Sequence, residues 1–180
     1  MNARDIMTSA VTCCRPDTNL ASAAAAMWQH DCGILPVIDD NRHVMGVITD
    51  RDICIALATR NCLASEITVG EVSTGNIFMC RDDEDARAVL STMRDHKVRR
   101  VPVVDHDGTL AGIISLDDVI LLAKEKKGLQ NSAITYADVI DTQKAIAARP
   151  IVLATEKKPV PRIAIPEPAP THAGDLDFEE

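Results

Sequence analysis

Polar and apolar positions change rhythm in a fixed order along the first two thirds of the chain. A β-branched run, AVTCC (10 to 14), leads into a turn at Arg15-Pro16-Asp17. The alanine-rich stretch 20 to 30 then predicts a helix with Asn19 as its N-cap. LPVID (35 to 39) and VMGVIT (44 to 49) flank a polar turn at Asp40-Asn41 and predict a β-hairpin. A second helix follows over 50 to 59, with Ile53 and Ile55 to Leu57 facing inward. The same order then returns. NIFMC (76 to 80) precedes a turn at Arg81-Asp82-Asp83, and residues 86 to 96 place Ala86, Val89, Leu90 and Met93 on one helical stripe. VPVVD (101 to 105) and LAGIIS (110 to 115) form the next hairpin around His106-Asp107-Gly108, and a helix runs from 116 to about 126 with Val119 to Leu122 inward. The unit reads β-α-β-β-α, twice.

Sliding the chain on itself by 66 residues pairs Gly46 with Gly112, Pro36 with Pro102, Asp39 with Asp105, Met27 with Met93, Cys14 with Cys80 and His30 with His96. The match is ungapped from about residue 3 to about residue 57. Two repeats are too few for a solenoid, whereas two half-cores can bury their open faces against each other as a closed pseudo-twofold pair. The expected fold class is therefore α/β (α+β), with a first repeat at 1–61 and a second at 67–127.

This order resembles the cystathionine-β-synthase (CBS) domain, and the two repeats resemble a tandem CBS pair. The resemblance rests on Asp5-Ile6-Met7-Thr8, on the LPV/VPV-x-D strands, and above all on G-h-h-[ST]-x-x-D, which occurs as GVITDRD and GIISLDD at the fixed register. It implies two units packed through their sheets, with two clefts between them that in many family members bind adenosine-containing ligands and regulate a partner.

Thr49 and Ser115 sit where a strand hands over to a helix, so each reads first as an N-cap, with Asp52 and Asp118 complementing the helix dipole. A capping box prefers Glu or Gln at the third helical position, and Asp is expected to be too short to reach back. A short carboxylate there suits a ribose diol instead, while the hydroxyl and free N–H groups of the turn suit a phosphate. The resemblance implies these same roles, which makes Thr49, Asp52, Ser115 and Asp118 candidate ligand residues.

Cations are lopsided between the repeats. HKVRRVPVV (96 to 104) supplies Lys97, Arg99 and Arg100 where HDCGILPVI (30 to 38) supplies Asp31, Gly33 and Ile34. In related modules a basic residue just before the Pro-containing strand meets ligand phosphates, so Arg99 and Arg100 join the candidate set. Arg99 is equally served as a solvated charge at a helix end. Arg100 leads into buried strand positions, where an unpaired cation would be costly. One strong phosphate site is expected. His30 and His96 read as structural cations at helix ends.

No catalytic set emerges: no nucleophile, general-base pair or metal cluster is brought together, and no CxxC is present, so neither an enzyme nor a metal site is expected. With no signal-peptide pattern, the six cysteines are expected as free thiols in a reducing, cytoplasmic setting. Only 2% of residues are aromatic, so the core must be aliphatic. A net charge of −8 argues against sequence-independent nucleic-acid binding, and no apolar run approaches a membrane span.

Residues 128–149 predict one appended helix, with Thr135-x-x-Asp138 as its capping signal, fit to cover a cleft or pair with a second chain. Residues 150–180, which hold six of the nine prolines and end acidic, read as a flexible tail. The expected function is a stand-alone sensor, homodimeric through helices such as 20 to 30. It needs no cofactor and takes AMP, ADP, ATP or an S-adenosylmethionine-like ligand to modulate an unknown regulated protein or its own assembly. The alternative is a ligand-free CBS interaction scaffold.

Overall fold

The computed structural model describes residues 1–73, 77–125 and 134–148. The tail assigned to 150–180 lies outside the described residues, as do the first residues of the appended segment.

In the first repeat, α1 (Leu20–Gln29), β1 (Ile34–Ile38), β2 (Val44–Thr49) and α2 (Asp50–Arg60) follow one another; in the second, β3 (Cys80–Arg81), α3 (Ala86–His96), β4 (Arg100–Val104), β5 (Leu110–Ser115) and α4 (Leu116–Leu122) do the same. Local chemistry sets the boundaries. Asn19 Oδ1 accepts from Ser22 N–H (2.8 Å) to start α1, and Asn61 and Lys97, both left-handed, stop α2 and α3. The α3 stripe is buried as its spacing requires, with Ala86, Val89, Leu90 and Met93 no more than 2% exposed. The hairpins share one register: Ile34 pairs with Thr49 and Ile38 with Val44, as Arg100 pairs with Ser115 and Val104 with Leu110, each with a bulge before the last pair.

The β-branched runs expected as full strands are shorter. The second repeat keeps Cys80–Arg81, parallel to β4, and the first keeps a single parallel bridge, Cys14 to Val37. The reason is a crossing. Thr8 exchanges both backbone hydrogen bonds with Ile113 of the second repeat (2.9 and 3.0 Å), while Cys14 bonds Pro36 and Ile38 of the first (3.0 and 2.9 Å). The chain between them spans two sheets and cannot pair continuously with either.

The crossing makes the halves interleave. Ala3 N–H donates to Glu84 O (2.8 Å) and Arg4 N–H to Asp82 O (2.9 Å), and Ala3 and Ile6 join the aliphatic core of the second half. Their counterparts do the reverse: Val69 N–H donates to Thr18 O and Gly70 N–H to Pro16 O (both 2.8 Å), with Ile67 and Val69 in the core of the first half. Gly112 permits the crossing, because a Cβ there would meet Met7 Sδ at 2.6 Å and Thr8 O at 2.9 Å.

The helix expected to reach about 126 ends at Leu122. Ala123 is extended (φ −66°, ψ 144°), and Lys124 turns away to bond Ile134 and Tyr136 (3.1 and 3.3 Å). That turn leads into α5 (Tyr136–Ala147), which buries Val139, Thr142 and Ile146 and packs on α3 and α4. No helix among the described residues is long and apolar enough to cross a membrane.

Candidate functional site

The hydroxyl and carboxylate of each repeated motif form a complete capping box. Asp52 Oδ2 accepts from Thr49 N–H (3.0 Å) and Thr49 Oγ1 (2.6 Å), while Thr49 Oγ1 accepts from Asp52 N–H (3.2 Å). Ser115 and Asp118 repeat this at 2.8, 2.7 and 3.1 Å. The expectation that Asp is too short to reach back is thus corrected. An extended N-cap residue (ψ near 160°) turns its own N–H and hydroxyl toward the first turn, so one carboxylate oxygen receives both. Each Oδ1 is left without a recorded partner among the described residues.

The box by itself marks a cap, not a ligand, for Thr135 and Asp138 build the same one at the start of α5, outside the repeat. In front of Thr49 and of Ser115 lies a cleft. Thr49 and Asp52 line a cleft of about 410 Å³, walled by Ile34, Val47, Val98 and Pro102 and closed by Arg99 and Arg100 of the second repeat. Ser115 and Asp118 line a second cleft of about 330 Å³, walled by Thr12, Cys32, Ile34 and Ile113 of both repeats. The 66-residue offset carries one lining onto the other: Val47 onto Ile113, Cys32 onto Val98, Ile34 onto Arg100 and Thr12 onto Phe78.

The charges do not follow that symmetry. The Thr49 cleft sets one carboxylate, Asp52, against two guanidiniums. The Ser115 cleft sets Asp31 and Asp118 against Arg100 alone, with His30 beside them. Arg100 lines both because β4 begins at the seam between the halves; Arg99 lines the Thr49 cleft and not its mate. Both arginines are exposed. The argument that Arg100 would be a costly buried cation is therefore corrected: the strand buries Val101 to Val104 and leaves its first residue in solvent.

Sequence analysis did not single out Phe78. Its ring stacks on His96 (centroids 3.7 Å apart, planes 10° from parallel) and forms part of the Thr49 cleft. The legible signal was its register, two residues ahead of Cys80 and opposite Thr12. Cys14 and Cys80 are buried, and burial first of all pushes both thiols up to about 12, which keeps them protonated and poor nucleophiles. Asp105, His106 and Asp107 bring possible metal-ligand atoms within 4.8 Å of one another, in the β4–β5 turn and outside both clefts.

Two interleaved β-α-β-β-α halves with a cleft before each N-capped helix define a paired two-repeat module. The CBS domain family model matches residues 3–59 and 69–125, more than half of the chain, and the protein belongs to that family. It is 36% identical over 117 residues to hypoxic response protein 1 of Mycobacterium tuberculosis, covering 65% of this chain and 81% of the relative. The crystal structure of Hypoxic Response Protein I with two coordinated zinc ions superposes with a TM-score of 0.64 at 34% identity, over 69% of this chain and 100% of that one. The CBS domain pair of protein MJ0100, in complex with 5′-methylthioadenosine and S-adenosyl-L-methionine, is similar at a TM-score of 0.62 and 27% identity, over 68% and 94% of the two chains. CBSX2 in complex with AMP is similar at 0.59 and 28%, over 67% and 93%.

Proposed function

We propose that this protein is a non-enzymatic sensor that binds an adenosine-containing ligand between its CBS repeats and modulates a partner or its own assembly. The observation that carries this reading is the Thr49 cleft, where a diol acceptor from one repeat meets two guanidiniums from the other. Asp52 Oδ1 accepts from the ribose hydroxyls, the α2 N-terminus and Thr49 favour the phosphate, and Arg99 and Arg100 neutralise it. The Ser115 cleft, with Ser115 and Asp118, takes a ribose in the same way but is short of positive charge, so phosphorylated ligands prefer the Thr49 cleft. Support comes from the AMP named in the CBSX2 complex and the adenosine compounds named in the MJ0100 complex. The working form is a cytoplasmic homodimer that needs no cofactor, with neither nucleic acid nor membrane as partner.

A second reading, a ligand-free interaction scaffold, is favoured by one observation: the Thr135–Asp138 box shows that this hydroxyl and carboxylate also occur as a helix cap outside the repeat. Thermal unfolding with AMP, ADP, ATP, adenosine and S-adenosylmethionine separates the two. A ligand at 100 times its dissociation constant adds roughly 2.7 kcal/mol to native stability. An unchanged melting temperature with every compound at millimolar concentration would leave the scaffold.

A further inference from the structure

Arg99 and Arg100 border more than the Thr49 cleft. A smaller cavity of about 100 Å³ is lined by the same two arginines together with Leu116 and Asp117 of α4 and Gln143 of α5. The pair is thus common to the cleft and to the α4–α5 junction, and each side offers it one carboxylate, Asp52 in the cleft and Asp117 at the junction. Neither guanidinium is committed. Among the described residues, no side-chain hydrogen bond or ion pair engages Arg99, Arg100, Asp117 or Gln143. Gln143 is half-buried and the other three are exposed. An ion pair between exposed groups is weak, whereas a phosphate brings more charge and several acceptor oxygens that fit a guanidinium two at a time. Phosphate in the cleft therefore wins the arginines from Asp117.

The arrangement is confined to one half. The 66-residue offset carries Arg99, Arg100 and Asp117 onto Gly33, Ile34 and Arg51, and no counterpart of α5 lies among the described residues. The rest of the hold on α5 is independent of the arginines. The helix buries Val139, Thr142 and Ile146, and at its C-terminal end Lys97 Nζ donates to Ala148 O (2.7 Å). Drawing the arginines toward the cleft loosens the helix around Gln143 without releasing it.

We propose that Arg99 and Arg100 are shared between ligand phosphate and the α4–α5 junction: Asp117 competes with the phosphate for them, and phosphate in the Thr49 cleft loosens α5. The proposal rests on the adenosine-ligand reading above and deepens it by naming the element that reports occupancy. The coupling is reciprocal, so whatever the junction takes from AMP affinity, AMP takes from the hold on α5. Adenosine fills the cleft without a phosphate and leaves the pair where it is.

Calorimetry and hydrogen exchange on the full chain, with AMP and adenosine as probes, test this. Asp117→Asn should tighten AMP about three- to fivefold, the scale of an exposed ion pair, and leave adenosine unchanged. In the Arg99→Ala, Arg100→Ala background that gain should vanish, which separates competition for the arginines from a general change in charge. At saturation, α5 amides should exchange about threefold or more faster with AMP than with adenosine, while α1 amides slow with both. Gln143→Ala should bring α5 exchange with adenosine up to the AMP level. Equal gains for both ligands or for neither with Asp117→Asn, a gain that persists without the arginines, or equal α5 exchange with AMP and adenosine overturns the proposal while ligand binding stands. A wild-type chain that binds neither AMP nor adenosine overturns the ligand reading itself, and the proposal with it.

Discussion

Arg99 and Arg100 allow the phosphate assignment to be tested against its simplest rival, a solvated cationic surface. In the Thr49 cleft they are the two guanidiniums, and Asp52 is the single carboxylate. A charge-assisted hydrogen bond contributes about 1.5 to 3 kcal/mol net. Both side chains are exposed, so solvent screening puts the expected loss at the lower end. Either Arg99→Ala or Arg100→Ala should weaken AMP by about 1.5 kcal/mol, near tenfold in dissociation constant. The double variant should lose less than the sum, because one phosphate is shared by both groups. Adenosine, which brings a ribose and no phosphate, should change by less than about twofold. Raising salt should weaken AMP in the wild type and leave adenosine nearly unaffected. Isothermal calorimetry on the three variants with both ligands decides. Equal losses for AMP and adenosine, or two equivalent AMP sites in the wild type, would refute the reasoning, since the Ser115 cleft lacks Arg99 and adds Asp31.

Further expectations follow from the caps, the crossing and the buried thiols. Thr49→Ala removes the acceptor for Asp52 N–H and the donor to Asp52 Oδ2; urea unfolding should show a loss of about 1 kcal/mol, within the range for N-caps. Thr135→Ala should cost a similar amount while leaving nucleotide affinity unchanged, which separates capping from binding in one comparison. Gly112→Ala forces a Cβ against the Thr8 carbonyl and Met7 and should destabilise by about 1 to 3 kcal/mol in the same assay, the scale of overpacking. Cys14 and Cys80, held near 12 from a usual 9.0, should resist iodoacetamide at pH 8 while exposed Cys54 and Cys62 react, as read by mass spectrometry. For the same two thiols the folded state binds its protons more tightly than the unfolded one. Their contribution to stability is therefore full below about pH 9 and falls as pH rises from there toward 12.

What lies within a few residues was legible in the chain itself. The 66-residue offset, both hairpins, the N-caps at Asn19, Thr49, Ser115 and Thr135, and the buried stripe of α3 follow from periodicity and side-chain reach, which act over one or two turns. Ile34 could be aligned with Arg100 on paper. That the two stand at one seam, so that Arg100 lines both clefts and Arg99 one, depends on how the halves pack. The same holds for the exchange of the leading segments, for Phe78 reaching the Thr49 cleft, and for α5 lying on α3 and α4 while Trp28 stays bare. These contacts join residues tens of positions apart, and their geometry comes from burying two aliphatic cores at once, a condition that no local pattern encodes.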